Sequence, residues 1–167
     1  MTMGGSWSYV PGDQYKSTKE LIHLLIKIVS RGGNFLLNIG PGPDGEWDSK
    51  AYKRLAEIGE WMKENDQGIY ASRPMAPYSA GNIYYTQHKD GKSWYAYYLT
   101  NDAPQQLSGE IVLKNLAVPK GSKISLPAIN TALKWKLENG NTILTIPDAV
   151  LKKLDTRFAI LFKVQLP

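Results

Sequence analysis

Carboxylates near the start of the chain are the residues best suited to acid–base chemistry; they are Asp13, Glu20, Asp44, Glu46 and Asp48. Pairs of such groups hydrolyse glycosidic bonds, one acting as an acid and the other as a base or nucleophile. The local sequence nevertheless indicates structural roles. Glu20 completes a Ser-x-x-Glu capping box, Asp48 precedes a predicted helix, and Asp44 belongs to an Asp-Gly turn. We therefore predict no catalytic residue among them.

The histidine and cysteine content limits metal and nucleophile chemistry. There is no cysteine and there are only two histidines, His23 and His88, so neither a thiolate nor a multi-histidine metal site is expected. His23 lies among leucines and isoleucines, which favours a structural role, and His88 precedes a Lys-Asp-Gly turn, where a solvated side chain is expected. The loop from Gly40 to Gly45 lacks the Lys-Ser/Thr of a phosphate-binding loop. We predict no metal and no cofactor.

Trp7 is the aromatic residue whose surroundings point most clearly to a ligand. It lies in the glycine-rich segment Gly4-Gly5-Ser6-Trp7-Ser8-Tyr9, between a predicted strand end and a predicted helix. A tryptophan on such a loop could stack on the apolar face of a sugar, because its ring is large and amphipathic. It could equally fill a gap between the loop and the body of the protein. The residues alone leave both alternatives open.

The elements around these residues follow an α/β order. A helix is predicted from Ser17 through Val29, ending at Gly32-Gly33, and a second from Asp48 or Ser49 to Asn65-Asp66, closing before Gly68. Between them the apolar run 34–39 predicts a buried strand of a parallel sheet. Such a strand needs neighbours on both edges and layers on both faces. Either this segment packs tightly on the part of the chain that follows it, or it is part of a larger α/β domain, and we favour the second interpretation.

The pattern changes near Pro74, where we place a domain boundary that separates residues 1–73 from residues 74–167. Beyond it, seven short alternating runs predict an antiparallel β-sandwich; they are 82–87, 93–100, 109–114, 123–126, 133–138, 142–146 and 157–165. The Asn139-Gly140 pair predicts a tight hairpin between two of them.

Charge and hydropathy exclude two classes of partner. The net charge is +5, but basic and acidic residues are interspersed, so no basic patch for nucleic acid is expected. No apolar stretch approaches the ~20 residues of a membrane span, and the N-terminus has no features of a secretory signal.

Several clusters resemble the end of the catalytic barrel of the glycoside hydrolase family 29 α-L-fucosidases. They are Ser6-Trp7-Ser8-Tyr9, Tyr15-Lys16-Ser17 with Glu20-Leu21-Ile22, the run from Ser30 to Pro41 with Asp44-Gly45, and the run from Gly68 to Pro74. The resemblance covers residues 6–74 almost without gaps. Beyond Pro74 only an all-β pattern is shared.

The resemblance implies an α+β chain, in which the terminal β/α units of a (β/α)₈-like barrel precede an antiparallel β-sandwich. Residues 1–3 would be the end of the seventh barrel strand and residues 35–39 the eighth strand, with residues 17–30 and 51–65 as the seventh and eighth helices. The implied activity is release of terminal α-linked fucose with retention, by an aspartate nucleophile and a glutamate acid/base. No position of this chain matches either residue, so the chain alone is expected to be catalytically incomplete.

One substrate contact is implied, because Trp7 matches the tryptophan that lines the family's fucose pocket. Ser8 stands where the family usually has glycine. Fucosylated glycans would be the substrate of the intact enzyme, and the rest of the barrel or other subunits its protein partners. Family members are usually exported, which implies a periplasmic, extracellular or lysosomal parent. The alternative functions are an accessory carbohydrate-binding module, using exposed aromatics such as Trp94, and a purely structural β-sandwich.

Overall fold

The computed structural model describes residues 1–101 and 107–167. Two main helices lie in the N-terminal part, α1 (Thr18–Val29) and α2 (Ser49–Asn65). Each begins where the sequence predicted. The Ser17 hydroxyl accepts the Glu20 backbone N–H at 3.1 Å, and the Asp48 carboxylate accepts the Lys50 N–H at 2.8 Å. Both caps satisfy backbone donors that the first helical turn leaves unpaired.

Eight strands form one antiparallel sheet within the described residues, in the order β1-β2-β3-β8-β5-β6-β7-β4. Their bounds are β1 (Ser72–Ala80), β2 (Ile83–His88), β3 (Ser93–Leu99), β4 (Glu110–Leu113), β5 (Lys123–Leu126), β6 (Thr131–Glu138), β7 (Asn141–Thr145) and β8 (Ala159–Gln165). A short helix, α3 (Asp148–Leu151), precedes β8, and 3₁₀ turns span Asp66–Gly68 and Pro127–Ile129. The predicted hairpin is confirmed, since Asn139 and Gly140 both have positive φ between β6 and β7.

The sheet curls so that its two halves enclose the main hydrophobic core. The strand β6 joins the halves, because its first residues pair with β5 and its remaining residues pair with β7. Ile83 and Phe162 from one half share this core with Ile111 and Leu144 from the other. The Tyr85 hydroxyl of β2 also donates to the Lys114 carbonyl, just beyond β4, at 3.1 Å. The predicted antiparallel strands therefore belong to one curled sheet.

The helices cover the other face of β2, β3 and β8. Ile22 and Ile26 of α1 and Trp61 of α2 form a second core cluster with apolar residues of these strands. The Trp61 indole donates to the Ala159 carbonyl at 3.0 Å, and the Tyr97 hydroxyl donates to the Asn65 carbonyl at 2.7 Å. These central strands are thus buried on both faces.

Two features of the fold differ from the predictions. The run 34–39 is not a buried strand: Thr2 and Asn38 form a single parallel bridge, and Leu36 is 71% exposed. Phe35, Leu37 and Ile39 pack against a small core cluster of Met3, Leu21 and Ala51, but the described residues provide no second neighbouring strand and no layer over Leu36. Strand β1 was not predicted, because it contains Pro74 and Pro77. It lies at the edge of the sheet, where a missing backbone donor is tolerated.

Among the described residues, no helix has the length and apolar character required to cross a membrane.

Candidate functional site

The parallel bridge between Thr2 and Asn38 places two loops at one edge. The Met3 N–H donates to the Asn38 carbonyl, and the Asn38 N–H donates to the Met1 carbonyl, each at 2.9 Å. Because the two segments run in the same direction, the residues that follow them leave at the same edge. We call this edge, formed by loops 4–16 and 40–47, the paired-loop edge.

Trp7 projects from the paired-loop edge with 63% of its surface exposed. Its backbone is held in place, because the Asn38 side-chain amide donates to the Trp7 carbonyl at 2.9 Å. Gly40 packs directly on the same loop, and a Cβ placed there would lie 2.4 Å from the Tyr9 backbone nitrogen. The indole ring is therefore presented to solvent by a fixed backbone, an arrangement suited to stacking on a ligand.

The rest of loop 4–16 is tied to the body of the protein. The Gly5 N–H donates to the Asp13 carboxylate at 2.9 Å. The Lys16 backbone N–H donates to the Met3 carbonyl at 2.9 Å, and its ammonium group donates to the Thr2 carbonyl at 3.1 Å. These bonds restrict the loop that carries Trp7.

Four of the five carboxylates considered from the sequence accept structural hydrogen bonds. Asp13 and Asp48 do so as described, Asp44 accepts the Glu46 N–H at 3.1 Å, and Glu46 accepts the Tyr52 hydroxyl at 2.5 Å. The bond to Glu46 raises the pKa of the Tyr52 hydroxyl, because ionised Tyr52 could no longer donate it. These contacts shape the loops.

Tyr15, at the end of loop 4–16, lies near two of these carboxylates. Burial, with the charges of Asp48 and Asp13, raises the pKa of Tyr15. Asp13 on loop 4–16 and Asp48 at the start of α2 therefore both act on the Tyr15 side chain.

The histidines and Trp94 lie away from the paired-loop edge. His23 bonds the Phe158 carbonyl through Nε2 at 2.8 Å, so it links α1 to the segment before β8, in agreement with its predicted structural role. His88 pairs with Asp90 at 2.8 Å in the β2–β3 turn. The expectation that Trp94 is exposed was wrong, because it is half-buried against the main core.

Two contacts at the site were not predicted from the sequence. Asn38 holds Trp7 across 31 positions of the chain, a contact that no local pattern reveals. Trp47 and Tyr52 form an exposed aromatic pair whose ring centroids lie 5.5 Å apart. Their positions just before the α2 cap and four residues after it match a hydrophobic staple, a signal that could have indicated the pair.

Within residues 1–101 and 107–167, no three or more His, Cys, Asp or Glu side chains are grouped so that they could hold a metal ion.

Comparison with known proteins shows which class of protein this chain belongs to. The family model for alpha-L-fucosidase matches residues 1–67. The α-L-fucosidase of Dictyostelium discoideum is 35% identical over 143 residues, covering 78% of this chain and 31% of that protein. The tissue α-L-fucosidase of Mus musculus is 30% identical over 168 residues, covering 95% of this chain and 35% of that protein. The chain thus spans about a third of the length of these relatives.

Solved structures agree with the sequence matches. The Thermotoga maritima α-fucosidase superposes with a TM-score of 0.85 at 22% identity, over 98% of this chain and 38% of that one. The α-L-fucosidase isoenzyme 1 from Paenibacillus thiaminolyticus gives a TM-score of 0.82 at 27% identity, over 100% of this chain and 39% of that one. Fold and matches together place the chain among the glycoside hydrolases. Within that class, it belongs to the α-L-fucosidase family, as the resemblance in residues 6–74 predicted.

Proposed function

We propose that this chain is the C-terminal part of an exo-acting, retaining α-L-fucosidase. Residues 1–73 would form the end of the catalytic barrel, and residues 74–167 a C-terminal β-sandwich-like domain. The presentation of Trp7 is the main support for this proposal: an exposed ring on a fixed loop, at an edge where two parallel segments end. In a barrel, this edge is the one on which active sites are built.

The uncovered apolar surface beside the bridge supports a larger barrel. Leu36 is 71% exposed, and Phe35, Leu37 and Ile39 stay half-buried although they pack against the cluster of Met3, Leu21 and Ala51. Apolar side chains on an incompletely paired parallel segment are expected to pack against further strands and helices. The remaining β/α units of the barrel are the partner that we propose for this surface.

Trp7 is proposed as a substrate-contacting residue without a role in bond breaking. Its ring would stack on the apolar face of a terminal fucose and fix the orientation of the sugar. In the retaining reaction, a carboxylate attacks the anomeric carbon while an acid protonates the departing oxygen. Water then releases fucose from the glycosyl-enzyme, and the group that first acted as the acid now acts as the base that deprotonates this water. Both carboxylates would lie in barrel segments other than those of this chain.

Hydrolysis of 4-nitrophenyl α-L-fucoside tests this assignment. The purified chain is expected to release no 4-nitrophenol above the uncatalysed rate, because it provides the sugar contact without the nucleophile and the acid/base. A full-length α-L-fucosidase in the same buffer is the positive control. Turnover that co-purifies with the folded chain would contradict the proposal, because it would mean that a catalytic pair exists within these residues.

A further inference from the structure

A polar cleft lies apart from the paired-loop edge and shares no residue with it. It has a volume of about 420 Å³, and its lining includes Asp66, Gln67, Tyr70, His88, Asp90 and Lys163. They come from the 3₁₀ turn after α2 and the residues just beyond it, from the end of β2 and the turn that follows, and from β8. We call it the Tyr70 cleft.

The Tyr70 ring is exposed although its backbone is fixed. Tyr70 is 66% exposed, while its backbone N–H donates to the Asp66 carbonyl at 2.8 Å. The next residue, Ala71, accepts the Lys89 N–H at 2.8 Å, which ties the segment to the β2–β3 turn. An aromatic side chain with two rotatable bonds on a rigid segment loses little entropy when a ligand stacks on it.

The polar groups of the cleft are also held in place. Lys163 donates to the Gln67 side-chain oxygen at 2.9 Å, which leaves the Gln67 amide nitrogen as a donor. Asp90 accepts the Lys92 backbone N–H at 2.9 Å and pairs with His88 at 2.8 Å. These two bonds hold the pKa of Asp90 below its usual value, so its carboxylate is an acceptor at neutral pH.

The composition of the cleft favours a neutral ligand rich in hydroxyl groups. Asp66 and Asp90 disfavour phosphate or another anion, and Lys163 offsets part of their attraction for a cation. Within the described part of the chain, no cluster of three metal-binding side chains exists, so an ion is not the expected occupant. One aromatic face beside fixed donors and acceptors matches a pyranose, which has an apolar face and a rim of hydroxyls.

We propose that the Tyr70 cleft is a second carbohydrate-binding site, which takes a neutral pyranose by stacking on Tyr70 and hydrogen bonding to Asp90 and Gln67. The choice of a fucoside as one probe rests on the proposed function, whereas the geometry of the cleft is independent of that function. Such a site would hold a glycan at a position separate from Trp7.

Titration of the ¹⁵N-labelled chain with methyl α-L-fucoside and methyl β-D-galactoside tests this site by NMR. At least one of these sugars is expected to shift the Tyr70 and Asp90 amides and the Gln67 side-chain amide, with a Kd on the order of 1 mM. Tyr70→Ala should weaken binding at least about tenfold, because the stacking surface is lost. Tyr70→Phe should retain it, and Asp90→Asn should weaken it severalfold.

Tyr78→Ala is the matched control, because Tyr78 is also an exposed tyrosine (49%) but does not line the cleft. It should leave the titration unchanged, and circular dichroism should show that all variants are folded. The proposal is overturned if neither sugar shifts the cleft resonances, if Tyr70→Ala binds as well as the parent chain, or if choline shifts these resonances and the sugars do not. If the sugars still shift the cleft resonances in Trp7→Ala, the Tyr70 cleft binds sugar independently of the role proposed for Trp7.

Discussion

At the scale of single residues, Trp7 combines two properties that seldom occur together. The residue is 63% exposed, which leaves a large apolar surface in water, while its carbonyl is fixed by the Asn38 amide. A residue with only a packing role would bury its ring. A residue on an unrestrained loop would lose entropy when it met a ligand. The combination indicates a prepared contact surface.

This contact surface predicts a selective response to fucose. L-Fucose should shift the Trp7 indole N–H resonance in the isolated chain, with a Kd in the millimolar range or weaker because the rest of the pocket is not provided. Trp7→Ala, which also serves to assign the resonance, should remove the response. Trp47 provides the internal control, since it is exposed (38%) but contacts Tyr52 as a helix staple. Equal shifts at Trp47 and Trp7, or none at Trp7, would argue against the sugar contact.

The residues that were predicted correctly are those governed by neighbours in sequence. Ser17 caps α1 because its hydroxyl reaches an amide three residues away, and Asn139-Gly140 turns because both residues tolerate positive φ. Trp94 was misjudged, since alternation along β3 does not reveal that helices and the curled sheet cover both of its faces. The Asn38 contact to Trp7 was beyond prediction for the same reason: it depends on which segments meet in space.

At the scale of elements, the two loops of the paired-loop edge meet at Gly40. A Cβ at this position would lie 2.4 Å from the Tyr9 nitrogen and 2.6 Å from the Ser8 carbonyl carbon. Both are backbone atoms, which cannot rotate away as a side chain can. The absence of a side chain at Gly40 therefore sets how closely loop 40–47 approaches the Trp7 loop.

Gly40→Ala is predicted to separate these loops. Overpacking of this kind costs about 1–3 kcal/mol, so the free energy of unfolding in urea should fall by that amount. The Trp7 indole resonance should move, and the fucose response should weaken. Gly59→Ala is the matched control: a Cβ there meets nothing within 4 Å, and Gly59 lies inside α2. That change should stabilise the chain by up to about 1 kcal/mol. A Gly40→Ala protein as stable as the parent would contradict the close approach.

Strand β1 shows which elements escape sequence prediction. Pro74 and Pro77 argue against a strand, yet the sheet accepts them because β1 has a neighbour on one side only. The run 34–39 shows the opposite case, in which a strong strand pattern remains a single bridge. In both cases the number of neighbouring strands decides the outcome, and a linear pattern does not contain that number.

At the scale of the whole molecule, buried tyrosines join the layers. Tyr85 and Tyr97 are both fully buried, and their hydroxyls donate to the Lys114 and Asn65 carbonyls. Tyr85 thereby closes the curl of the sheet, and Tyr97 connects the sheet to the end of α2. Burial raises the pKa of both hydroxyls, because an ionised phenolate would lose its hydration.

These two tyrosines predict a loss of stability at high pH. The unfolded chain deprotonates them above pH about 10, whereas the folded chain keeps them neutral. Their stabilising effect is therefore complete below pH about 10 and declines as pH rises, by about 1.4 kcal/mol per pH unit for each tyrosine. Tyr85→Phe should cost about 1 kcal/mol at pH 8, because the Lys114 carbonyl loses its donor. Above pH 10, however, its stability should fall less steeply than that of the parent chain.

Urea unfolding followed by circular dichroism from pH 8 to pH 11 measures both effects. Parallel curves for Tyr85→Phe and the parent chain across this range would show that Tyr85 ionises as easily in the folded chain as in the unfolded one, and that the curled sheet does not shield it from water.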